Sequence, residues 1–458
     1  MKISTKGRYA LRMLLDLAQS QQDGYVALKE VAARQNISKK YLEQIVIALN
    51  PTGILTSNRG FQGGYRLARA PREVTVFEVL EATEDSMAPV VCLRSQVNTC
   101  PRQEQCATLS LWTGLYNVVR EYLEGITLQQ LLDENGVLNE PGWSRSLVQI
   151  YDRSRIKAPA FQIKEWDYYL VLNEDFAGAF TISDDGYIGL QSVSLLNFKE
   201  GWEHTETILN PFTMGRLHLP SSSEEGNTVY HDKRLHMEFR KEGDRRRILC
   251  RFRNFWQGKE LECNITLREP PMDTMVIATP WKNKRAFYYN QKINCMTAGG
   301  SMRYDNRTYT FDPAKDFGTL DWGRGVWTYD NRWYWGSGNC MIEGKPFGFN
   351  IGYGFGDTEA ASENILFYDG KAHKLDDVTF HIPADDYMKP WRFTSSDGRF
   401  EMDFVPVLDR AARTAAVVIE TDQHQVFGRM SGKAVLDDGK VIELKDLMCF
   451  AEDVHNRY

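Results

Sequence analysis

Residues 34–49 read "RQNISKKYLEQIVIAL", and the fold of the first third of the chain turns on this stretch. Ser38 is placed to cap a helix that begins at the lysines, because its hydroxyl can accept a backbone N–H of the first turn. Asn36 is one of the few non-glycine residues that tolerates a left-handed turn. The preceding segment, "LKEVAARQ" at 28–35, has helical spacing. Helix, short turn and capped helix make a helix–turn–helix, a pattern that DNA-binding domains and plain helical bundles share.

The next segment favours DNA. "GILTSNRGFQGGYRLAR", residues 53–69, reads as strand, glycine-rich tip and returning strand. Arg59 stands at the tip, and Arg66 and Arg69 on the return. A basic hairpin directly after a helix–turn–helix reads as a wing, with Arg59 suited to a narrow minor groove. Charge agrees: residues 1–72 hold 12 Lys and Arg against 4 Asp and Glu, whereas residues 73–140 hold 3 against 11. A compact basic block of this kind is an electrostatic footprint for nucleic acid.

Three cysteines follow, Cys92, Cys100 and Cys106, spaced C-x7-C-x5-C. No signal peptide is read at the start and no apolar run is long enough to span a membrane. A cytoplasmic chain is therefore expected, where clustered thiols mean metal or redox chemistry more often than disulfides. The spacing matches no usual zinc site, and three thiolates are one short of an iron–sulfur ligand set. Glu104, the partner subunit or a small molecule could complete the set. A thiol switch, with Arg94 and Arg102 nearby, and no cofactor at all are the other readings. After Cys106, Leu109, Trp112, Leu115, Tyr116, Val119 and Leu123 recur at helical spacing. So wide an apolar stripe in a small domain predicts a dimer helix.

Residues 1–138 resemble the winged-helix regulators of the IscR, NsrR and CymR type, the Rrf2 family. The resemblance rests on "KGRYALRMLLDLA", "ISKKYLEQIVIAL", "SNRGFQGGYRLAR", the three cysteines and "LWTGLYNVVREYLEGITLQQLL". It implies a homodimer on double-stranded DNA, with Ser38, Tyr41, Glu43 and Gln44 in the major groove and Arg59 in the minor groove. It also implies an iron–sulfur cluster on Cys92, Cys100 and Cys106. In some members a histidine three residues after the last cysteine is the fourth ligand; here that position is Leu109, and residues 1–140 contain no histidine.

Beyond about residue 140 the composition changes. Residues 139–145 read as a linker, and residues 146–458 as an all-β domain in two barrel-like halves, about 146–310 and 311–458. Asp-Gly pairs at 185–186, 369–370, 397–398 and 438–439 mark tight hairpins. Cys250 and Cys263 alternate with apolar residues and read as small hydrophobes; Cys295, Cys340 and Cys449 are isolated. "RIKAPAFQIKEWDYYLV", "LDWGRGVW", "FGFNIGYGFGDTEAASENILFYDG" and "DDYMKPWRFTSSDGRFEMDF" carry a resemblance to the domain-of-unknown-function family DUF2804. That family is distantly similar to the tandem lipocalin-like fold of carotenoid hydratases, which implies an apolar cavity.

"LDWGRGVWTYDNRWYWGSG", residues 320–338, gathers four tryptophans around Asp321 and Arg324. Two readings stand. Asp321 is a general acid in a pocket for an apolar small molecule, lined by Trp322, Arg324, Trp335, Asp357, Glu363 and His424; or Asp321 and Arg324 are an ion pair inside a packed barrel. A hydratase-like or cyclase-like enzyme and a non-catalytic binding module are both compatible with this domain.

Overall fold

The computed structural model describes residues 3–19, 25–35, 37–58, 63–84, 86–94, 100–124, 127–128, 133, 135–139, 141–416 and 419–457. The chain divides into two compact units, Met1–Leu131 with Val148–Ile150, and Leu132–Leu147 with Tyr151–Tyr458. Among the described residues no helix is long and apolar enough to cross a membrane.

The first unit is a winged helix–turn–helix. Helices α1 (Thr5–Gln19), α2 (Leu28–Gln35) and α3 (Lys39–Leu49) precede the antiparallel hairpin of β1 (Leu55–Asn58) and β2 (Gly64–Leu67). Helices α4 (Val76–Thr83) and α5 (Leu109–Glu124) follow. Met13, Leu14, Leu17, Val31, Leu42, Ile45, Leu49 and Ile54 are fully buried in one core. Apolar positions at i, i+3, i+4 and i+7 put one face of each helix there. Asp16 of α1 is buried but engaged, accepting from Arg34 (2.6 Å) and Gln35 (2.9 Å) of α2. A buried carboxylate bonded in this way fixes the angle of α2 on α1. Thr75 and Glu78 form a reciprocal capping box that starts α4. Asn36 and the wing tip, including Arg59, lie outside the described residues.

The second unit is all-β, with a 13-stranded and a 9-stranded antiparallel sheet. All four Asp-Gly pairs fall in hairpin connections, and one of them is a two-residue turn. Asp369 and Gly370 both have positive φ, 50° and 83°, joining Tyr368 to Lys371 through the mirror-image turn whose twist suits a hairpin.

The strand Phe317–Val326 lies between Phe287–Tyr304 and Lys164–Leu172, inside the first sheet. The changeover between halves therefore falls at residues 327–329, not near 310. Pairing on both sides holds this strand in the first half. Residues 139–145 are likewise more than a linker: Gly142–Ser144 pairs with Met275–Pro280.

Both sheets curl. In the first, His204 near one edge strand reaches the Phe255 carbonyl at 3.0 Å and stacks on Trp256. In the second, Phe349, Phe380, Phe393, Phe404 and Met430 from strands across the sheet share one core. A second apolar layer lies between the sheets. There Tyr168, Leu170, Ala179 and Leu196 of the first meet Trp335, Phe427 and Phe450 of the second.

Candidate functional site

The capped helix α3 presents a polar face. Ser38 has extended backbone geometry and accepts from the Tyr41 N–H at 3.3 Å. Leu42, Ile45, Val46 and Leu49 point into the core, which leaves Ser38, Lys39, Lys40, Glu43, Gln44 and Ile47 exposed. Glu43 and Gln44 have the chemistry to read cytosine N4 and adenine. Tyr41 differs from its neighbours: it is half-buried, edge-on to Tyr9 with centroids 5.6 Å apart. Of the residues singled out for the groove, it is the one that also supports the helix. Arg66 lies over the Tyr25 ring and Arg69 pairs with Glu78 at 3.1 Å, so both wing cations are braced from behind.

The three cysteines occupy irregular backbone. Cys92 lies in a short turn of helix, Val91–Leu93, and Cys106 directly follows another, Gln103–Gln105. Cys106 is exposed, and its sulfur is 3.6 Å from the Thr108 hydroxyl, which lowers its pKa by stabilising the thiolate. Thiolate chemistry suits iron, but the described residues form no group of three His, Cys, Asp or Glu close enough to hold a metal. Leu109, at the histidine position, opens α5. As placed, the donors do not fit a complete cluster site.

Helix α5 has no buried residue. Tyr116 and Leu123 pack against Phe77, Leu80 and Met87, while Leu111, Leu115, Val118 and Tyr122 are 45–65% exposed along the outer face. The sequence stripe is thus divided between two faces.

In the second unit Lys292 is the hub of a buried charged cluster between the two sheets. Its ammonium is 3.1 Å from Asp321 Oδ1, 3.6 Å from Glu363 Oε2 and 3.7 Å from the Trp335 ring centroid. Lys292 and Asp321 are direct cross-strand partners, so one face of the sheet holds both. Asn290, two residues earlier on that face, donates to Asp321 at 2.5 Å. From the second sheet, Glu452 accepts from the Trp333 indole (3.0 Å) and the Gln425 amide (2.9 Å). Gln425 also meets the Tyr168 hydroxyl at 3.3 Å. Lys292, Asp321 and Glu363 side chains are only 3%, 10% and 12% exposed. With one lysine facing three carboxylates, burial pushes Glu452 up to about 7 and raises Glu363 as well. Desolvation disfavours the charged form, which makes a neutral acid available near neutral pH. Burial, then the charges of Asp321, Glu363 and Glu452, also raises the Tyr288 phenol well above its usual value.

Asp321, Glu363 and Trp335 are therefore brought together. Trp322, Arg324, Asp357 and His424 are not. The expected Asp321–Arg324 ion pair does not form: residues three apart on a strand face opposite ways. Arg324 instead bonds Asp167 at 2.9 Å and lies over Trp322, on the other face of the first sheet. Asp357 is exposed on a loop. His424 is on the opposite face from Gln425, bonded to Asp409 at 2.7 Å and stacked on Tyr387 at 3.9 Å.

Comparison with known proteins matches residues 3–134 to the Rrf2 family, described as "Iron-dependent Transcriptional regulator", and residues 124–458 to DUF2804, a domain of unknown function. The HTH-type transcriptional regulator IscR of Aliivibrio salmonicida is 36% identical over 158 residues, 34% of this chain and 87% of that one. The chain belongs to the Rrf2 family through its first unit and to the DUF2804 family through its second. The crystal structure of CymR, the global cysteine regulator of B. subtilis, is 34% identical and covers 28% of this chain and 93% of that one, with a TM-score of 0.23. The kievitone hydratase of Nectria haematococca covers 70% of this chain and 97% of that one, at 11% identity and a TM-score of 0.40.

The DUF2804 site holds residues the sequence reading did not single out: Lys292, Asn290, Glu452, Gln425 and Tyr288. One signal was present. In "FYYNQKINCM", 287–296, Asn290, Lys292 and Asn294 alternate within an apolar strand, which is a polar face at period two. For Glu452 in "MCFAEDV" no such signal exists, since Asp453 beside it is equally polar and faces the other way, bonding Arg332 and Tyr387.

Proposed function

We propose that the chain is a homodimeric, cytoplasmic DNA-binding regulator that reads iron–sulfur or redox state through Cys92, Cys100 and Cys106. The observation that carries the DNA-binding part is the exposed face of α3, with Glu43 and Gln44 beside the capped start at Ser38. Arg59 is assigned to the minor groove on the resemblance alone. The outer stripe of α5, Leu111, Leu115, Val118 and Tyr122, supports dimerisation, because an apolar row of this kind is a surface for a partner helix. The sensing part is supported by the exposed, acidified thiol of Cys106 and by the iron dependence for which the family is described.

The test is titration of the gene's own upstream DNA with the full chain. A sequence-selective shift is expected, and Val118→Asp should weaken it at least tenfold while turning the dimer into a monomer. An equal shift on unrelated DNA would overturn the reading.

A second reading concerns the DUF2804 unit, and the Lys292 cluster favours it. A buried lysine with three carboxylates is expensive to desolvate, and such clusters concentrate at functional sites. We infer that this unit binds an apolar small molecule against the cluster, with Glu452, rather than Asp321, as the proton donor. Asp321 is already engaged by Lys292 and Asn290.

A further inference from the structure

Next to the Lys292 cluster lies an aromatic box. Trp166 stacks on Tyr288 at 5.5 Å and meets Trp327 edge-on at 5.1 Å. Trp281 and Trp333 complete the box. Its centre is filled by Phe355, whose ring lies 4.9–5.2 Å from those of Tyr288, Trp281, Trp327 and Trp333. The box and the charged cluster share two walls. Tyr288 feels the charges of Asp321, Glu363 and Glu452, and the Trp333 indole donates to Glu452.

Trp166, Tyr288 and Trp333 stand on strands, whereas Phe355, like Trp281 and Trp327, stands outside them, on the irregular strap between Tyr353 and Ile365. Gly354 and Gly356 flank it, both left-handed, at φ 94° and 84°. This conformation is open to glycine and costly to other residues, so the pair can act as a hinge on either side of one ring. The strap is anchored at its far end, where Lys374 donates to the Ser362 and Asn364 carbonyls at 2.8 Å. Between hinge and anchor, Asp357, Glu359 and Ala360 are exposed. The same strap ends at Glu363, which the Lys374 anchor holds in the Lys292 cluster.

The cluster also holds an unanswered acceptor. Asn290 is fully buried and both of its amide bonds are donated, to Asp321 and to the Trp322 carbonyl. Its own Oδ1 has no donor. A buried oxygen without a donor is costly, and a ligand hydroxyl would supply one.

We propose that the aromatic box is the binding site for a planar aromatic molecule bearing a hydroxyl group, which takes the place of the Phe355 ring and turns its hydroxyl toward the Lys292 cluster. The proposal rests on the reading that the second unit takes an apolar ligand. It adds where that ligand lies, what shape it has and which residue it displaces. Flat rings suit the box because offset and edge-on contacts with four aromatic walls reward a planar π-face over a bulky aliphatic one.

Calorimetric titration of the full chain with 2-naphthol tests it. The wild-type chain should bind saturably. Phe355→Ala should bind at least tenfold more tightly, because the ring that competes for the box is gone. Phe393→Ala removes a fully buried ring from the core of the second sheet and should bind like wild type. Should Phe355→Ala fail to fold by circular dichroism, Phe355→Leu takes its place and should bind more tightly than wild type by severalfold. Equal tightening in Phe393→Ala, or none in the Phe355 variants, would overturn the proposal. Saturable binding of decanol without any of 2-naphthol would also overturn it while leaving an apolar site in the unit. Binding of neither probe would remove both. A 2-methoxynaphthalene that binds as well as 2-naphthol would overturn the role given to the hydroxyl.

Discussion

Cys106 and Cys340 carry the same side chain under opposite conditions. Cys106 stands exposed ahead of α5, and the Thr108 hydroxyl holds its pKa down. Cys340 sits on a strand of the second sheet, packed against that sheet's core, and burial pushes it up to about 12. Cys250, Cys263, Cys295 and Cys449 are raised by burial in the same way. The contrast extends to the two units. The Rrf2 unit shows the groups proposed for recognition to solvent: Gln44 on α3, Cys106 before α5 and Val118 on the outer face of α5 are all exposed. The DUF2804 unit hides its polar chemistry: Lys292, Asp321, Glu363 and Glu452 lie between two sheets. Position relative to water, more than residue type, separates the polar groups of the two units.

Single changes should therefore act on different observables in the two units. The largest effect is expected at Lys292. Lys292→Met leaves three carboxylates without their buried counter-charge, and chemical denaturation should show a loss of about 3–5 kcal/mol from the second unit. A loss below 1 kcal/mol would mean that water reaches the cluster freely.

The next effect is a pH dependence. Burial raises Glu452 in the folded chain to about 7, above the usual carboxylate range, so the folded state holds this proton more tightly than the unfolded one. Its stabilising contribution is complete at acidic pH below the unfolded pKa and is lost as pH rises through about 7. Unfolding free energy should therefore fall by about 3 kcal/mol between about pH 4 and about pH 8 on account of this group. Glu452→Gln should flatten that part of the profile; an unchanged profile would remove the argument for Glu452 as a neutral acid.

In the first unit, Gln44→Ala should leave thermal stability unchanged within about 0.5 kcal/mol, as an exposed substitution does. It should weaken operator binding by about 1–3 kcal/mol if the amide reads a base. Loss of stability instead of affinity would place Gln44 in the fold rather than in the interface. Smaller still, Ser38→Ala should cost about 1 kcal/mol through the lost helix cap, seen as a lowered melting temperature.

Much of this was readable in the sequence, and the limits have physical causes. The helix–turn–helix was legible because Ser38 caps locally and Leu42, Ile45 and Leu49 repeat at helical spacing. The hairpins were legible because Asp-Gly dictates its own turn. The partner of Asp321 was not. Strand parity alone excludes Arg324, but choosing Lys292 requires knowing that Phe317–Val326 pairs with Phe287–Tyr304, and pairing is non-local. The stripe of α5 was seen as one surface, yet Tyr116 and Leu123 are taken up by α4 and its surroundings, and the outer row begins at Leu111. His424 is a pocket candidate in the sequence, but it lies on the opposite face, paired with Asp409, and the face toward the cluster belongs to Gln425.

The most direct test of the central proposal, that Cys92, Cys100 and Cys106 set how the first unit reads DNA, is operator affinity measured under anaerobic and oxidising conditions. The wild-type chain should change its affinity at least tenfold between the two. The variant with Cys92, Cys100 and Cys106 all replaced by serine should show one affinity in both. A wild-type chain indifferent to the conditions, or a triple variant that still responds, would contradict the account.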